Sequence, residues 1–493
     1  MDENVIFSKS DQIPTPVTSQ PQPPLMNQQP PTNPPSQPMP LPASSIPPNI
    51  PLTDSNLPKP PGSSRLPDGI LKWVGIVAGI VILLLIIVFA VSKFKGSSKD
   101  EPVTLTYWGL FEDKQIMQSL IDDFHRLHPT ITINYIQKDV REYRQSLVTQ
   151  TINGKGPDIY RFHNSWVGMM KAYLSPMTAD VLSTDDLKNN YYPVIQQDLV
   201  RNGALYGIPL QIDDLALFVN TDLFSAGGKV APKTWDEFVK VAKDLVVKDS
   251  DGRIQTAGAS LGTFDNITHS PDIIALLMAQ NGTNFSNFSS TKANASQALA
   301  FYTAFSEDEG SVWDSTLDPS LTAFSKGNLA MYIGYSWDIF SIKALNPQLN
   351  FSIHPVPNLP GRKVAMASYW VEGVSSKSKH QKEAMLFMKY LTEKETLQKR
   401  YTEIAKTRIF GELYPRRDLA RTLMSNPLLS PFLEQAEYAT SSYFMSDTYD
   451  KGINEQMNVY LGNTVRGVNQ ASSATSIETL SQGVDQVLTK YGR

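Results

Sequence analysis

The sequence predicts an α/β protein, and three observations carry that reading. Strand-length apolar runs alternate with helix-length amphipathic stretches through most of the chain. Near residue 103 a strand–helix–strand pattern in about 35 residues is a βαβ unit, whose right-handed crossover makes the strands parallel. Over Leu205–Leu245 a bend, two apolar strands and a capped amphipathic helix follow one another directly.

Taken in order, Val103–Trp108 alternates Val103, Leu105 and Tyr107 against Thr104, Thr106 and Trp108, a strand, and Leu110–Lys114 is a polar loop. Ile116, Leu120, Phe124 and Leu127 line one face of a helix that His128-Pro129 terminates, and Ile131–Ile136 is the second strand. A helix over Tyr143–Thr151 leads through Gly154-Lys-Gly-Pro-Asp158 to a third strand, whose end carries Phe162, His163, Asn164 and Trp166. Gly203 and Gly207 bracket a bend. Ile208–Leu210 and Leu215–Val219 read as buried strands with Asp213 and Asp214 between them. Thr234 and Glu237 form a capping box, and Phe238, Val241, Ala242 and Leu245 make the buried stripe behind it. Ile254–Ser260 reads as a strand, Pro271–Gln280 as a helix, and Asn281–Ser296 as a polar loop whose N-x-S/T triplets are loop composition. Ala384, Phe387, Met388 and Leu391 form another helical stripe, and Leu428–Lys490 reads as helices carrying Tyr443, Phe444 and Tyr449.

Open α/β sheets bind ligands beyond the carboxyl ends of their strands. By that rule Trp108, Glu112, Asp113, Phe162, His163, Asn164, Trp166 and Asp213 converge on one rim.

Several separately placed motifs then stand in a fixed order. They are G..PD at 154–158, YGIP…N.DLF…G…P.TWDEF at 206–238, AF..G..AM….W at 323–337, P.P…G at 355–361, Ser368-Tyr369-Trp370, and KEAMLFMKYLTEKE around the last stripe. This order resembles the extracellular solute-binding proteins that feed ABC transporters, in particular the sugar-binding family that includes maltose-binding protein. The resemblance covers about residues 102–493; Thr407–Arg417 departs from it. It implies a two-lobed, periplasmic-binding-protein-like fold of type II. Lobe 1 would comprise about 102–211 and 373–427, lobe 2 about 214–369 and 428–493, with hinge crossings near Gln211–Asp214 and Tyr369–Gly373. It also implies Trp337, beside Tyr335, as the stacking aromatic of the second lobe and Asp213 as the hinge-side carboxylate. Phe162 to Trp166 would be the first-lobe wall, and Tyr369 and Trp370 would lie at the next crossing. Such a receptor captures a carbohydrate, an oligosaccharide foremost, by closing on it and delivers it to an ABC transporter permease, as a monomer without a cofactor. Sugar rings offer apolar faces and hydroxyl edges, so aromatics beside carboxylates suit them. A core aromatic is the plain alternative for Trp337, Trp108 and Trp370, and a strand-end cap for Asp213 or Asp214. A sensor that signals through a membrane helix without transport is the alternative at the level of function.

The front end differs from the rest. Residues 1–69 hold 19 of the 35 prolines and predict a disordered tail. Within 70–92, Trp73–Val91 is nineteen apolar residues without a charge, read as a transmembrane signal anchor, and 93–101 is a linker. Lys59, Arg65 and Lys72 before it balance Lys93, Lys95 and Lys99 after it, so the charge rule does not orient it. The resemblance does: binding domain outside the cell membrane, tail cytoplasmic. The chain has no cysteine, which excludes disulfides, thiolate metal sites and a lipidated cysteine, and its net charge of −4 gives no reason to expect nucleic acid.

An enzyme is not the reading. Gly258-Ala-Ser260-Leu-Gly262 matches the serine-hydrolase G-x-S-x-G, but a polar loop follows it instead of an immediate helix, and Asp265 and His269 lie too near to complete a triad. Asp213 with Glu112 is the carboxylate pair a glycosidase would need, with nothing to favour it. No metal-binding, Walker or dinucleotide motif is present.

Overall fold

The structure, a computed structural model, describes residues 101–307, 310–469 and 473–492. The expected tail, membrane helix and nearly all of the linker lie outside the described residues. Among the described residues no helix is long and apolar enough to cross a membrane.

Strand β1 (Val103–Gly109) runs parallel to β2 (Ile131–Gln137) on one side and to β3 (Ile159–His163) on the other. Helix α1 (Lys114–Leu127) makes the first crossover and buries Ile116, Met117, Leu120, Ile121 and Phe124, while the expected Leu127 at its end is exposed. Helix α2 (Tyr143–Ile152) makes the second. The turn before β3 is held by Asp158, whose Oδ2 accepts from the Thr106 amide at 2.8 Å and whose own amide donates to Thr106 O at 2.9 Å. A short β4 (Leu174–Ser175), helix α3 (Pro193–Leu199) and β5 (Ile208–Pro209) lead out of this first half.

The second half has its own sheet. Strand β6 (Ala216–Asn220) precedes helix α4 (Trp235–Leu245), whose expected cap is formed: Thr234 Oγ1 accepts from Glu237 N at 3.3 Å, and Glu237 Oε2 accepts from Thr234 N at 3.3 Å. Strands β7 (Val247–Lys248) and β8 (Ile254–Ala259), helices α5 (Ser270–Gln280) and α6 (Lys292–Thr303), strand β9 (Leu329–Gly334), helix α7 (Asp338–Leu345) and strand β10 (Phe351–His354) complete it, with strand order β10-β6-β9-β8-β7. The polar loop expected to run to Ser296 stops earlier. From Lys292 the chain is helical, because Ala295, Ala298, Leu299 and Tyr302 supply a buried face that the Asn/Ser-rich first turn hides.

The chain then returns. Strand β11 (Trp370–Ser375) lies antiparallel to β3, Trp370 opposite His163, and joins the first sheet in the order β2-β1-β3-β11-β4, with β5 also on β11. Helix α8 (Gln381–Thr392) packs Phe387 edge-on to Tyr107 and Phe124, and α9 (Lys394–Ala405) follows it. Helices α10 (Ile453–Asn469) and α11 (Ser473–Lys490) end the chain.

Three segments pass between the sheets side by side. Ser368 N donates to Asp213 O at 3.0 Å, Leu215 N to Met366 O at 3.0 Å, and Ala367 N to Thr440 O at 2.8 Å, while Ala365–Met366 pairs in parallel with Ala439–Thr440. The second crossing therefore precedes the expected Tyr369–Gly373, since Trp370 onward is already paired with β3 and Gly373 stands opposite Tyr160. The third, at Ala439–Thr440, comes later than the division expected at 427/428, where no motif marks a crossing.

Candidate functional site

Where β9 ends and α7 begins, Tyr335, Ser336 and Trp337 meet the first crossing. Ser336 donates from its amide to Asp213 Oδ1 at 3.2 Å and from its hydroxyl to Oδ2. Burial pushes the Asp213 carboxyl up to about 8, against these hydrogen bonds. The Tyr335 and Trp337 rings stack at 4.2 Å and 18°, with Tyr335 fully buried and Trp337 half-buried. The pair is tied down from beneath. Tyr335 OH donates to Asp272 Oδ1 at 2.7 Å, and Asp338 Oδ2 accepts from Tyr335 N at 3.0 Å and Tyr332 OH at 2.8 Å and meets His269 Nε2 at 2.9 Å. Burial lowers the pKa of His269, but Asp338, with Asp447 and Asp272, outweighs it and holds the imidazole up at about 9.

On the side of the first sheet, Trp370 is half-buried. It lies edge-on to Phe111 at 5.3 Å, His163 at 5.2 Å and Trp166 at 5.3 Å. Phe111 is itself 38 % exposed. His163 is buried, its Nδ1 against Ser165 Oγ at 2.7 Å and its Nε2 against Ser368 Oγ at 3.0 Å, and burial lowers its pKa to about 3, so the ring is neutral. The Ser368 amide donates to Asp213 O at 3.0 Å, which links the two sides. Aromatic side chains from both sheets thus stand beside hydroxyls and a buried carboxyl, an arrangement suited to a polyhydroxylated ring.

The twelve residues expected at the site fall into groups. Asp213, Tyr335, Trp337, His163 and Trp370 come together as described. Trp108, Phe162 and Trp166 are core aromatics instead: Trp108 packs near Tyr143 under the Lys138 ammonium, and Phe162 lies against Gly373 within the sheet. Glu112 lies beneath the rim, not on it. It accepts from Arg161 and Arg400, while Arg161 also pairs with Glu372 and Arg400 with Glu412. Burial acts to raise the pKa of Glu112, yet the two guanidiniums hold it far below the usual range. Asp113 is exposed at the N-cap of α1, without a side-chain cap bond. Asn164 and Tyr369 face the other side of the crossings, where both donate to Asp198 Oδ2 at 2.8 Å. Charge pairing and strand alternation decide these placements, and neither is visible in spacing alone. Phe111, Ser336 and Ser368 were missed, although each is a neighbour of a residue singled out by motif. Ser260 is buried with its hydroxyl unpaired, while His163, His269 and His354 are bonded elsewhere.

A sequence profile described as bacterial extracellular solute-binding protein matches residues 108–398. The multiple sugar-binding protein of Streptococcus mutans is 26% identical over 355 residues, 67% of this chain and 81% of that protein. The galactooligosaccharide-binding protein of Bacillus subtilis is 23% identical over 328 residues, 63% of this chain and 73% of that protein. Among solved structures, a cyclo/maltodextrin-binding protein complexed with maltotetraose aligns with TM-score 0.65 at 19% identity, covering 80% of this chain and 99% of that one. The sugar-binding protein MalE from Xanthomonas citri aligns with TM-score 0.65 at 20% identity, covering 79% and 98%.

Proposed function

This chain belongs to the bacterial extracellular solute-binding protein family, and from that premise we propose that it captures a sugar, an oligosaccharide foremost, in the cleft between its two sheets. The observation that carries the reading is the stacked Tyr335–Trp337 pair next to Ser336 and Asp213, with Trp370 and Phe111 on the opposite sheet's side of the same crossings. Relatives named for sugar, galactooligosaccharide and maltodextrin binding support the substrate class. Ligand touching both halves favours the closed arrangement by shifting its population. The closed form is then what an ABC transporter permease receives. The apolar segment 73–91 anchors the domain on the outer face of the membrane as a monomer, doing the work of a lipid anchor.

A thermal-shift screen of the purified chain against a sugar panel tests this. A true ligand at a hundredfold excess over its Kd adds about 2.7 kcal/mol. Trp337→Ala then weakens binding by about 30-fold, through lost stacking and lost apolar contact. A panel without any shift removes the carbohydrate reading, and an unchanged Kd in Trp337→Ala removes this site.

A further inference from the structure

The crossing segments have a second side. Extended chain sends successive side chains to opposite faces. Ser368 and Trp370 face His163, so Tyr369 turns away and donates to Asp198, which also accepts from Asn164 and from Ser441. On that side lies a cavity of about 620 Å³. At about 30 Å³ per water it has room for roughly twenty waters, or a molecule the size of a monosaccharide phosphate. One wall comes from α3 and the residues just after it, including Arg201, and the opposite wall from the loop after α5 and from Arg362.

Charged donors line this cavity. Arg201 hydrogen-bonds through Nη1 to the carbonyls of Gln197 and Val200, and its Nη2 has no hydrogen bond among the described residues. The guanidinium of Arg362 has no salt bridge or side-chain hydrogen bond among the described residues. It lies over Gly282, whose φ of +89° turns the chain just past the end of α5. Asp198 is the one carboxylate lining the cavity, and its three hydrogen bonds already engage it.

We propose that this cavity is a second ligand site, taking a small phosphate-bearing molecule between Arg201 of one half and Arg362 of the other. Guanidinium forks match the several oxygens of a phosphate. The proposal does not depend on the sugar reading, because no residue of the Trp337 platform lines this cavity.

Calorimetric titration of the full chain tests it, with inorganic phosphate, glucose 6-phosphate and glucose as separate ligands and ionic strength held constant with sodium chloride. Saturable binding of a phosphate compound is expected, weakened about tenfold or more in Arg201→Gln and equally in Arg362→Gln, and unchanged in Trp337→Ala. Inorganic phosphate binding as well as the sugar phosphate identifies the anion itself as the ligand; only the sugar phosphate binding identifies the esterified molecule. Arg362 is exposed, so its variant remains informative if Arg201→Gln misfolds. Absence of saturable binding, binding indifferent to Arg362→Gln, or glucose 6-phosphate binding that follows Trp337 overturns the proposal.

Discussion

Beneath the cleft rim, Arg161 is the residue whose loss the structure evaluates most sharply. Its side chain is 2% exposed and pairs with Glu112 and Glu372, at 0% and 1%. Arg161→Met keeps the stem and removes the charge. Glu112 retains Arg400, but Glu372 is left buried with no cation, because Arg161 is its only salt-bridge partner among the described residues. Breaking one partner out of a buried pair costs about 3–5 kcal/mol, so about 4 kcal/mol is expected near neutral pH. The pH dependence separates charge from packing. Burial already raises Glu372, and without Arg161 it rises further while Glu112 loses part of what holds it down. A carboxyl with a raised folded pKa favours the fold fully below its unfolded value of about 4.3, and that contribution is lost as pH rises through the folded value. The deficit of Arg161→Met in urea unfolding is therefore largest near about pH 8 and shrinks toward about pH 5. A deficit under about 1 kcal/mol, or one that does not change with pH, refutes the argument that uncompensated carboxylates set the cost.

Three further outcomes follow from single sites. His269, held at about 9 by Asp338, stabilises the fold in its charged form below its ordinary value of 6.5 and loses that contribution as pH rises through about 9. The melting midpoint of the wild-type chain should therefore fall across that window, and a scan of His269→Gln should be flatter there. Gly258 lies on β8 where an added Cβ would come 1.9 Å from Ala242 O of α4. Gly258→Ala must push helix from strand, and urea midpoints should show a loss of about 1–3 kcal/mol or more. Thr234→Ala removes one half of the α4 capping box and should cost about 1 kcal/mol in the same assay.

Local order was legible wherever one residue and its near neighbours suffice. The α1 stripe, the Thr234–Glu237 cap and the parallel crossover of β1 and β2 rest on contacts within a few residues or within one βαβ unit. Periodicity and turn chemistry report such contacts directly. The placement of Asp213 and Trp337 near one another came through motif order instead, since 123 residues separate Asp213 from the Ser336 that bonds it.

What the sequence determined by itself, then, was the alternation of strands and helices, the pairing of aromatics with carboxyls, and the apolar stretch at the front. Tertiary structure alone decided which of those side chains meet open space. Glu112 and Trp108 sit in the same strand-end region as Phe111, yet the first is consumed by Arg161 and Arg400 and the second by the core, while Phe111 is exposed. Tyr369 and Trp370 are adjacent, but strand alternation sends one to Asp198 and the other toward His163. The reason is that exposure and charge pairing depend on partners 49 to 288 residues away, such as Arg161 and Arg400 for Glu112, whose arrival no local pattern encodes.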